Sequence, residues 1–428
     1  MTPHCAIDFG TSNSAIALPQ GDAGVRLVEL EPGFRTMPTA VFYRADGPVH
    51  AEPLREYGRA AVAAYVDGLD GRLMRSMKSI LGSTLVEQTT DVGGGRGVRY
   101  LDIIAGYLRH LKTLAEAQAG APLTRVVMGR PVHFIDDDPV RDAQAQASLD
   151  SAARSVGFDE VRFQYEPIAA ALDHERSVTA EQLVLVADIG GGTSDFSLVR
   201  VGPQRRARVE RRDDILANHG VHVAGTDFDR RVELATILPL MGYGAFGPAE
   251  RGAAAKEVPS AIYFDLATWH LINTVYAPGR VSELRQMRRF YADERQHRRL
   301  MTVLTERLGH ALAGAAEQAK IDAATTGHAQ IDLSLVEAGL GAALGEAQAG
   351  ALIDGDCTRI VAAALETLRQ AGVAAAEVDA LYFTGGSTGL LPLVDRIAAC
   401  LPAAQRVRGD RFASVAQGLG EYARRVFG

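Results

Sequence analysis

At 428 residues, with 45 lysines and arginines against 52 aspartates and glutamates, the chain has a formal net charge of −7 and a pI near 5.9. That balance excludes the electrostatic footprint of a nucleic-acid binder, and the length calls for two or three compact units with substantial cores. Cys5, Cys357 and Cys400 lie far apart with no CxxC pair, which excludes a disulfide scaffold or a zinc site and leaves reduced, mostly buried thiols.

From Met1 the chain runs almost directly into CAIDFG, without the basic start and apolar stretch of a signal peptide. No window holds the roughly 18 apolar residues of a membrane span. The expected location is therefore the cytoplasm, with no membrane contact. Short β-like runs come first, CAIDF, SAIAL, VRLVEL and TAVFY, followed by helical segments, then RVVMG, a helix, VRFQYE, a helix and LVLVADIG. This order predicts α/β layering, with an antiparallel meander opening each half and parallel strands joined through helices.

Two lobes are expected, 1–183 and 184–428. The first is interrupted by an inserted subdomain at about 34–98, whose final DVGGGRGVR lacks both a following GKS or GKT and GxGxxG spacing and reads as a flexible surface loop. The second is interrupted by a helical subdomain at about 229–326, where RQMRRF and RQHRRL read as a solvated arginine face. It closes with DALYFTGG, a helix through Cys400 and a C-terminal helix, SVAQGLGEYARRVF, packing back near the lobe junction.

The two halves echo each other. AIDFGTSNSAIAL near the start returns in form as VADIGGGTSDFSLV after Leu185, each an apolar strand ending in Asp, a glycine turn with Thr and Ser, and a second strand. In the first turn, Gly10 lets backbone NH groups approach a phosphate, Thr11, Ser12 and Asn13 surround it, and Asp8 can hold a hydrated magnesium ion. In the second, Gly190, Gly191 and Gly192 are costly in backbone entropy unless a ligand comes close. Thr193 and Asp195 then place a hydroxyl and a carboxylate beside that ligand, with Asp188 as the second metal-facing aspartate through water. Asp195 can orient or deprotonate an attacking water. A third turn at Thr384, Gly385, Gly386 and Ser387 joins a strand to a helix, whose N-terminus suits an α-phosphate and nucleoside.

IDFGTSNS, DIGGGTSDFS and FTGGST resemble the phosphate-one, phosphate-two and adenosine motifs of the heat shock protein 70 (Hsp70) family. YEPIAAAL resembles the segment joining the lobes and puts Glu166 where the family keeps a carboxylate near the metal's water shell. LMRSMKSILG is similar to the helix carrying the family's catalytic lysine, at Lys78. HVAGTDFD resembles the glycine-rich stretch before an aspartate-rich helix, at Gly225, Asp227 and Asp229. AEQAKID resembles the ribose-contacting helix, at Glu317 and Lys320. The resemblance runs from Cys5 to Phe427, and FQYEPIAAALD with the ending GDRFASVAQGLGEYAR looks most like the short, YegD-like members.

The resemblance implies an α/β actin-like ATPase (ribonuclease H-like) fold, duplicated into two lobes with inserted subdomains around a central nucleotide cleft. It implies ATP and Mg2+ as cofactors, Lys78 stabilising the γ-phosphate and positioning the water, and Thr193 hydrogen-bonding that water. Where relatives stack an arginine on adenine this chain has Gly389, and their serine position on the ribose helix falls on Ala324, so nucleoside affinity is expected to be weaker. Full-length chaperones continue into a β-rich peptide-binding domain, whereas this sequence stops at Gly428, so the usual peptide clamp is not expected. The leading expectation is an ATP-hydrolysing, chaperone-like protein whose lobes open and close with nucleotide, acting on or with a protein partner. A small-molecule kinase and a filament-forming actin relative remain the alternatives.

Overall fold

The computed structural model describes residues 3–21, 24–46, 52–93, 95–135, 138–248, 255–410 and 413–428. Met1, Gly94 of the glycine run, and Arg411 and Phe412 of the closing segment lie outside the described residues.

Strands β1 (His4–Phe9) and β2 (Asn13–Pro19) form an antiparallel hairpin, and β3 (Val25–Leu27) and β4 (Thr36–Pro38) both pair with β2. Cys5, Ile7 and Phe9 enter one apolar core and Ala6 another, so both faces of β1 are covered and its sequence reads as a nearly unbroken apolar run. The inserted segment holds a small sheet of β5 (Ala40–Arg44), β6 (Arg55–Tyr57) and β7 (Gly71–Arg75), with α1 (Gly58–Val66) packed on it, and a hairpin of β8 (Thr89–Asp91) and β9 (Gly97–Arg99). The run expected to be a flexible loop is the closed end of that hairpin. Arg96, only 7% exposed, ties it down by donating to the Arg44 carbonyl at 2.5 Å and the Gly93 carbonyl at 3.3 Å.

Helix α2 (Tyr100–Ala119), β10 (Arg125–Arg130), α3 (Pro139–Ser155), β11 (Glu160–Tyr165) and α4 (Glu166–Ser177) follow. Strand β10 runs parallel to β1, and β11 parallel to β10, giving the order β11-β10-β1-β2-β3. Next come β12 (Gln182–Ile189), β13 (Ser194–Val201) and β14 (Ile215–Val221), an antiparallel meander.

The helices α5 (Gly225–Val232), α6 (Ala261–Leu266), α7 (Pro278–Gln286), α8 (Glu294–Thr305) and α9 (Gly309–Thr326) precede a hairpin of β15 (His328–Asp332) and β16 (Gly341–Gly345). The chain ends with α10 (Glu346–Ala371), β17 (Ala380–Thr384), α11 (Leu391–Ala399), β18 (Gln405–Arg408) and α12 (Ser414–Phe427). Strand β17 is parallel to β12, and β18 to β17, so the second sheet has the order β14-β13-β12-β17-β18. Strand by strand, with the same directions, it repeats the first sheet. The α/β layering, the opening meanders and the parallel crossovers expected from the sequence are all present.

The chain divides into two compact units, Met1–Val221 with Ala362–Gly389 and Ile397–Gly428, and His222–Val361 with Leu390–Arg396. Both large sheets lie in the first. Helix α12 packs there on β1, β2 and β10 and against α4. Its Gly418 approaches α4 so closely that a Cβ would lie 1.9 Å from the Ala169 carbonyl oxygen. The second unit, taken by itself, is built around Val232, Leu238, Tyr263, Leu300 and Leu312. Its arginines are not all solvated. Arg299 is turned inward onto the Glu337 carboxylate at 2.8 Å and the Leu240 carbonyl at 3.2 Å.

Candidate functional site

The two hairpins carry their aspartates at equivalent places, one strand-end residue before the glycine turn. Asp8 pairs across β1–β2 with Ala15, and Asp188 pairs across β12–β13 with Asp195. At Gly10 a Cβ would stand 2.1 Å from the Asn13 carbonyl oxygen, so the turn closes only on glycine. The second turn closes through the Gly190 NH, which donates to the Thr193 carbonyl at 2.9 Å, and leaves Gly192 exposed with nothing within 4 Å of a would-be Cβ. Thr11 is exposed, while Ser12, Asn13, Gly191 and Thr193 are half-buried.

Lys78 arrives by a route that local periodicity does not describe. The helix expected around it is instead the end of β7 followed by one turn of 3-10 helix, Met77–Ile80. Ser76 makes the join in the left-handed region at φ 55°, uncommon for a residue with a side chain. That reversal buries Met77 and leaves Lys78 9% exposed, so it is not the surface residue that its neighbours suggest. Its ammonium meets the Glu166 carboxylate at 2.5 Å. Glu166 opens α4, directly after β11, and bends back over Gly129, where a Cβ would lie 3.2 Å from its Oε1.

Asp8, Lys78, Glu166 and Asp188 form one electrostatic cluster. Burial, reinforced by the neighbouring Glu166 carboxylate, drives the Asp8 carboxyl well above the usual range, against the pull of Lys78. Burial likewise pushes Asp188 up to about 7, with Asp195 and Glu166 adding repulsion and Lys78 opposing it. One lysine thus faces a group of carboxylates that it does not neutralise. Asp195 is exposed, and its Oδ1 lies over Gly220 of β14, where a Cβ would be 2.3 Å away.

The third turn is built onto the second hairpin. Gly385 has φ 88°, and a Cβ on it would lie 2.4 Å from the Ile189 carbonyl oxygen and 2.6 Å from Asp188 Oδ1. Ser387 Oγ donates to the Gly190 carbonyl at 2.6 Å, and the Thr384 and Ser414 hydroxyls meet at 2.7 Å. Gly386–Gly389 is itself a short 3-10 turn, so α11 begins later than the motif. The contacts of Gly385 and Ser387 onto Asp188 and Gly190, and the clearance that Gly129 and Gly220 give to Glu166 and Asp195, are parts of the site that no local pattern announced. A glycine at a strand end is their one sequence signal.

Gly225, Glu317 and Lys320 lie in the second unit. Gly225 begins α5, whose Asp227 accepts from the Ala224 NH at 3.0 Å. Lys320 pairs with Asp229 at 2.6 Å, and burial raises the Asp229 carboxyl to about 6 despite that lysine. Glu317 adds negative charge beside it.

Comparison with known proteins assigns this architecture. A family profile described as Hsp70 protein matches residues 5–235. The chain belongs to the Hsp70 family. Its duplicated sheet pair is the actin-like ATPase fold of that family. Among curated relatives, this Hsp70 chain is 34% identical over 243 residues to a chaperone protein HscA homolog of Aromatoleum aromaticum, and 32% over 238 residues to one of Azoarcus sp.. It is 32% identical over 228 residues to the chaperone protein DnaK of Thermosipho melanesiensis. Each match takes 53% of this chain and 34–36% of the relative, so the chain covers about a third of the length of these Hsp70 proteins. No helix among the described residues is long and apolar enough to cross a membrane.

The Gly389 position permits a direct test of whether this turn of the Hsp70 chain meets adenosine. Among the described residues of that turn Gly385 has positive φ and Gly389 does not, so an arginine at 389 meets no left-handed backbone. Gly389→Arg is expected to raise ATP affinity by a few-fold to tens-fold, the worth of a cation–π contact of about 0.5–2 kcal/mol. Affinity for inorganic triphosphate should stay unchanged. Parallel titrations of both ligands decide, and equal ATP affinity in a folded variant would move the base elsewhere.

Proposed function

We propose that this chain is a magnesium-dependent ATPase of the Hsp70 type that works on or with a protein partner in the cytoplasm. The observation that carries the reading is the convergence of Lys78, Glu166, Asp8 and Asp188 where two glycine hairpins end. The backbone NH groups of Gly10 to Asn13 and Gly190 to Thr193 would cradle the phosphates. Lys78, held by Glu166, would meet the γ-phosphate and orient the water, while the Thr193 hydroxyl and the Asp195 carboxylate hold or take the water's proton. Gly385 to Ser387 would approach the α-phosphate and nucleoside.

The residues fit a hydrated magnesium ion better than a stripped one. Among the described residues no three of His, Cys, Asp or Glu converge on a metal position. Magnesium keeps several waters and takes its remaining ligands from phosphate oxygens, so Asp8 and Asp188 would hold it through water. When bound, it neutralises charge on the terminal phosphates. An added cation also relieves the carboxylate repulsion that adds to burial in lifting both aspartates.

ATP with magnesium is expected to raise the melting temperature, since a ligand at about a hundred times its dissociation constant adds ~2.7 kcal/mol of stability. ATP with a chelator should do less. Superimposable melting curves with and without saturating Mg-ATP would sink the nucleotide assignment.

A further inference from the structure

Residues 278–308 carry eight arginines against four aspartates and glutamates, within a chain of net charge −7. The surplus is not spread evenly. Arg280 is held by Asp265, Arg288 by Glu294, and Arg295 and Arg299 together by Glu337. Arg285, Arg289 and Arg298 are exposed and make no side-chain hydrogen bond or ion pair among the described residues. We propose that the face they form on α7 and α8 docks an acidic segment of a partner polypeptide.

Arg285, Arg288 and Arg289 stand three and four residues apart on the helical run that passes from α7 into the 3-10 turn Met287–Phe290, so they share one side of it. Glu294 and Arg298, four apart on α8, share a side in the same way. The Arg288–Glu294 ion pair, at 2.6 Å, joins the two sides into one surface, with Arg285 and Arg289 beside Arg288 and Arg298 beside Glu294. The backbone beneath is fixed. His297, only 5% exposed, donates from Nε2 to the Leu284 carbonyl at 3.0 Å, and the Tyr291 hydroxyl meets that of Tyr263 at 2.7 Å.

The carboxylates of the same stretch do not balance this face. Glu294 is spent on Arg288, and Asp293 accepts from the Arg295 NH at 2.8 Å at the start of α8. Glu283, two residues before Arg285, falls on the far side of α7, and Glu306 lies two turns beyond Arg298. One exposed arginine alone is a solvated side chain, but three around a neutralised pair make a local positive field on a negative protein. Carboxylates are the complement that guanidinium forks select. Phe290, half-buried with the Arg289 guanidinium 5.0 Å from its ring centre, adds an apolar spot for a side chain among those acids. A nucleic acid is the poorer match, since its continuous phosphate charge would extend past three cations into the repulsion of the rest of the chain.

The kind of occupant rests on the proposed protein partner, but the surface does not depend on ATP hydrolysis. The test uses the full chain without nucleotide and fluorescein-labelled deca-glutamate as the probe, followed by fluorescence anisotropy at low ionic strength. We expect saturable binding, absent with deca-glutamine, that Arg285→Glu/Arg298→Glu weakens about tenfold, since two attractions become repulsions. A control reversal of equal charge on exposed residues of the first unit, Arg72→Glu/Arg109→Glu, should change it less than about threefold. If the double variant does not fold, Arg298→Gln takes its place, with a loss of about threefold expected against no change for Arg109→Gln. Equal losses in the two double variants would reduce the effect to overall charge, and no binding by the wild-type chain would remove the surface. A single-stranded thymidine dodecamer that binds more tightly than the peptide, and loses that affinity in Arg285→Glu/Arg298→Glu, would make the face a nucleic-acid site and overturn the polypeptide assignment. Peptide binding by a chain that hydrolyses no ATP would uphold the surface and sink only the ATPase reading, and hydrolysis without peptide binding would do the reverse.

Discussion

Lys78→Ala is expected to lower the rate of ATP hydrolysis by about 10²–10³-fold while changing ATP affinity only a few-fold. Lys78 is the cation that opposes the upward drift of both Asp8 and Asp188, and it is held against Glu166 with little solvent around it. A charge fixed in that way is worth most when negative charge develops on the transferring phosphoryl group, and less in the ground state. Removing it also strands Glu166 beside two other carboxylates, so the variant should lose some stability. Lys78→Ala/Glu166→Gln separates the two effects: it should recover melting temperature without recovering turnover. Single-turnover hydrolysis with melting curves on the three proteins gives the answer. Wild-type turnover in Lys78→Ala would remove the lysine from the mechanism.

Gly418→Val should have the largest effect on folding. In the interior of α12 a glycine costs about 1 kcal/mol relative to alanine, and what it permits is the approach to α4. A Cβ at 418 would stand 1.9 Å from the Ala169 carbonyl oxygen and 2.6 Å from its carbon, both backbone atoms that cannot rotate away. Leu419 and Ala416 are fully buried beside it, so the helix cannot roll without opening the core. A loss of roughly 3 kcal/mol is expected, at the upper end for overpacking, seen as a fall of several degrees in melting temperature. Gly355→Ala is the matched control: that glycine is in α10, exposed, with nothing within 4 Å of the new methyl. It should gain ~0.5–1 kcal/mol. If both variants melt alike, the close approach at 418 is not what holds α12.

The two glycine hairpins were legible because everything they need is local: an apolar strand, an aspartate at its end, glycines in the turn and a second strand. Their membership in two like sheets was legible from the same repeat. Lys78 was legible only through the motif LMRSMKSILG; its burial and its contact were not, because they depend on a left-handed Ser76 and on a carboxylate 88 residues away, neither of which leaves a periodic mark. The same holds for Gly385, whose contact with Asp188 exists only once β17 has paired with β12 in register. The glycine run before Arg99 misled through composition. Arg96 buries its guanidinium against carbonyls of β5 and the turn, and a buried arginine cannot be told from a solvated one in a list of residues.

The discontinuity of the first unit has a consequence for how the protein is made. Strand β1 lies more than a hundred residues ahead of its neighbour β10, and its cover, α12, follows β18. The second unit is closed within one continuous stretch, His222–Val361, apart from a short return at Leu390–Arg396. It can therefore begin to condense while the two large sheets still wait for β17, β18 and α12. Long-range strand pairing is slow and leaves sheet edges exposed in the interval. Until Gly418 docks on Ala169, the nascent chain carries the uncovered faces of β1, β2 and β10, the kind of exposed apolar surface that invites non-native association.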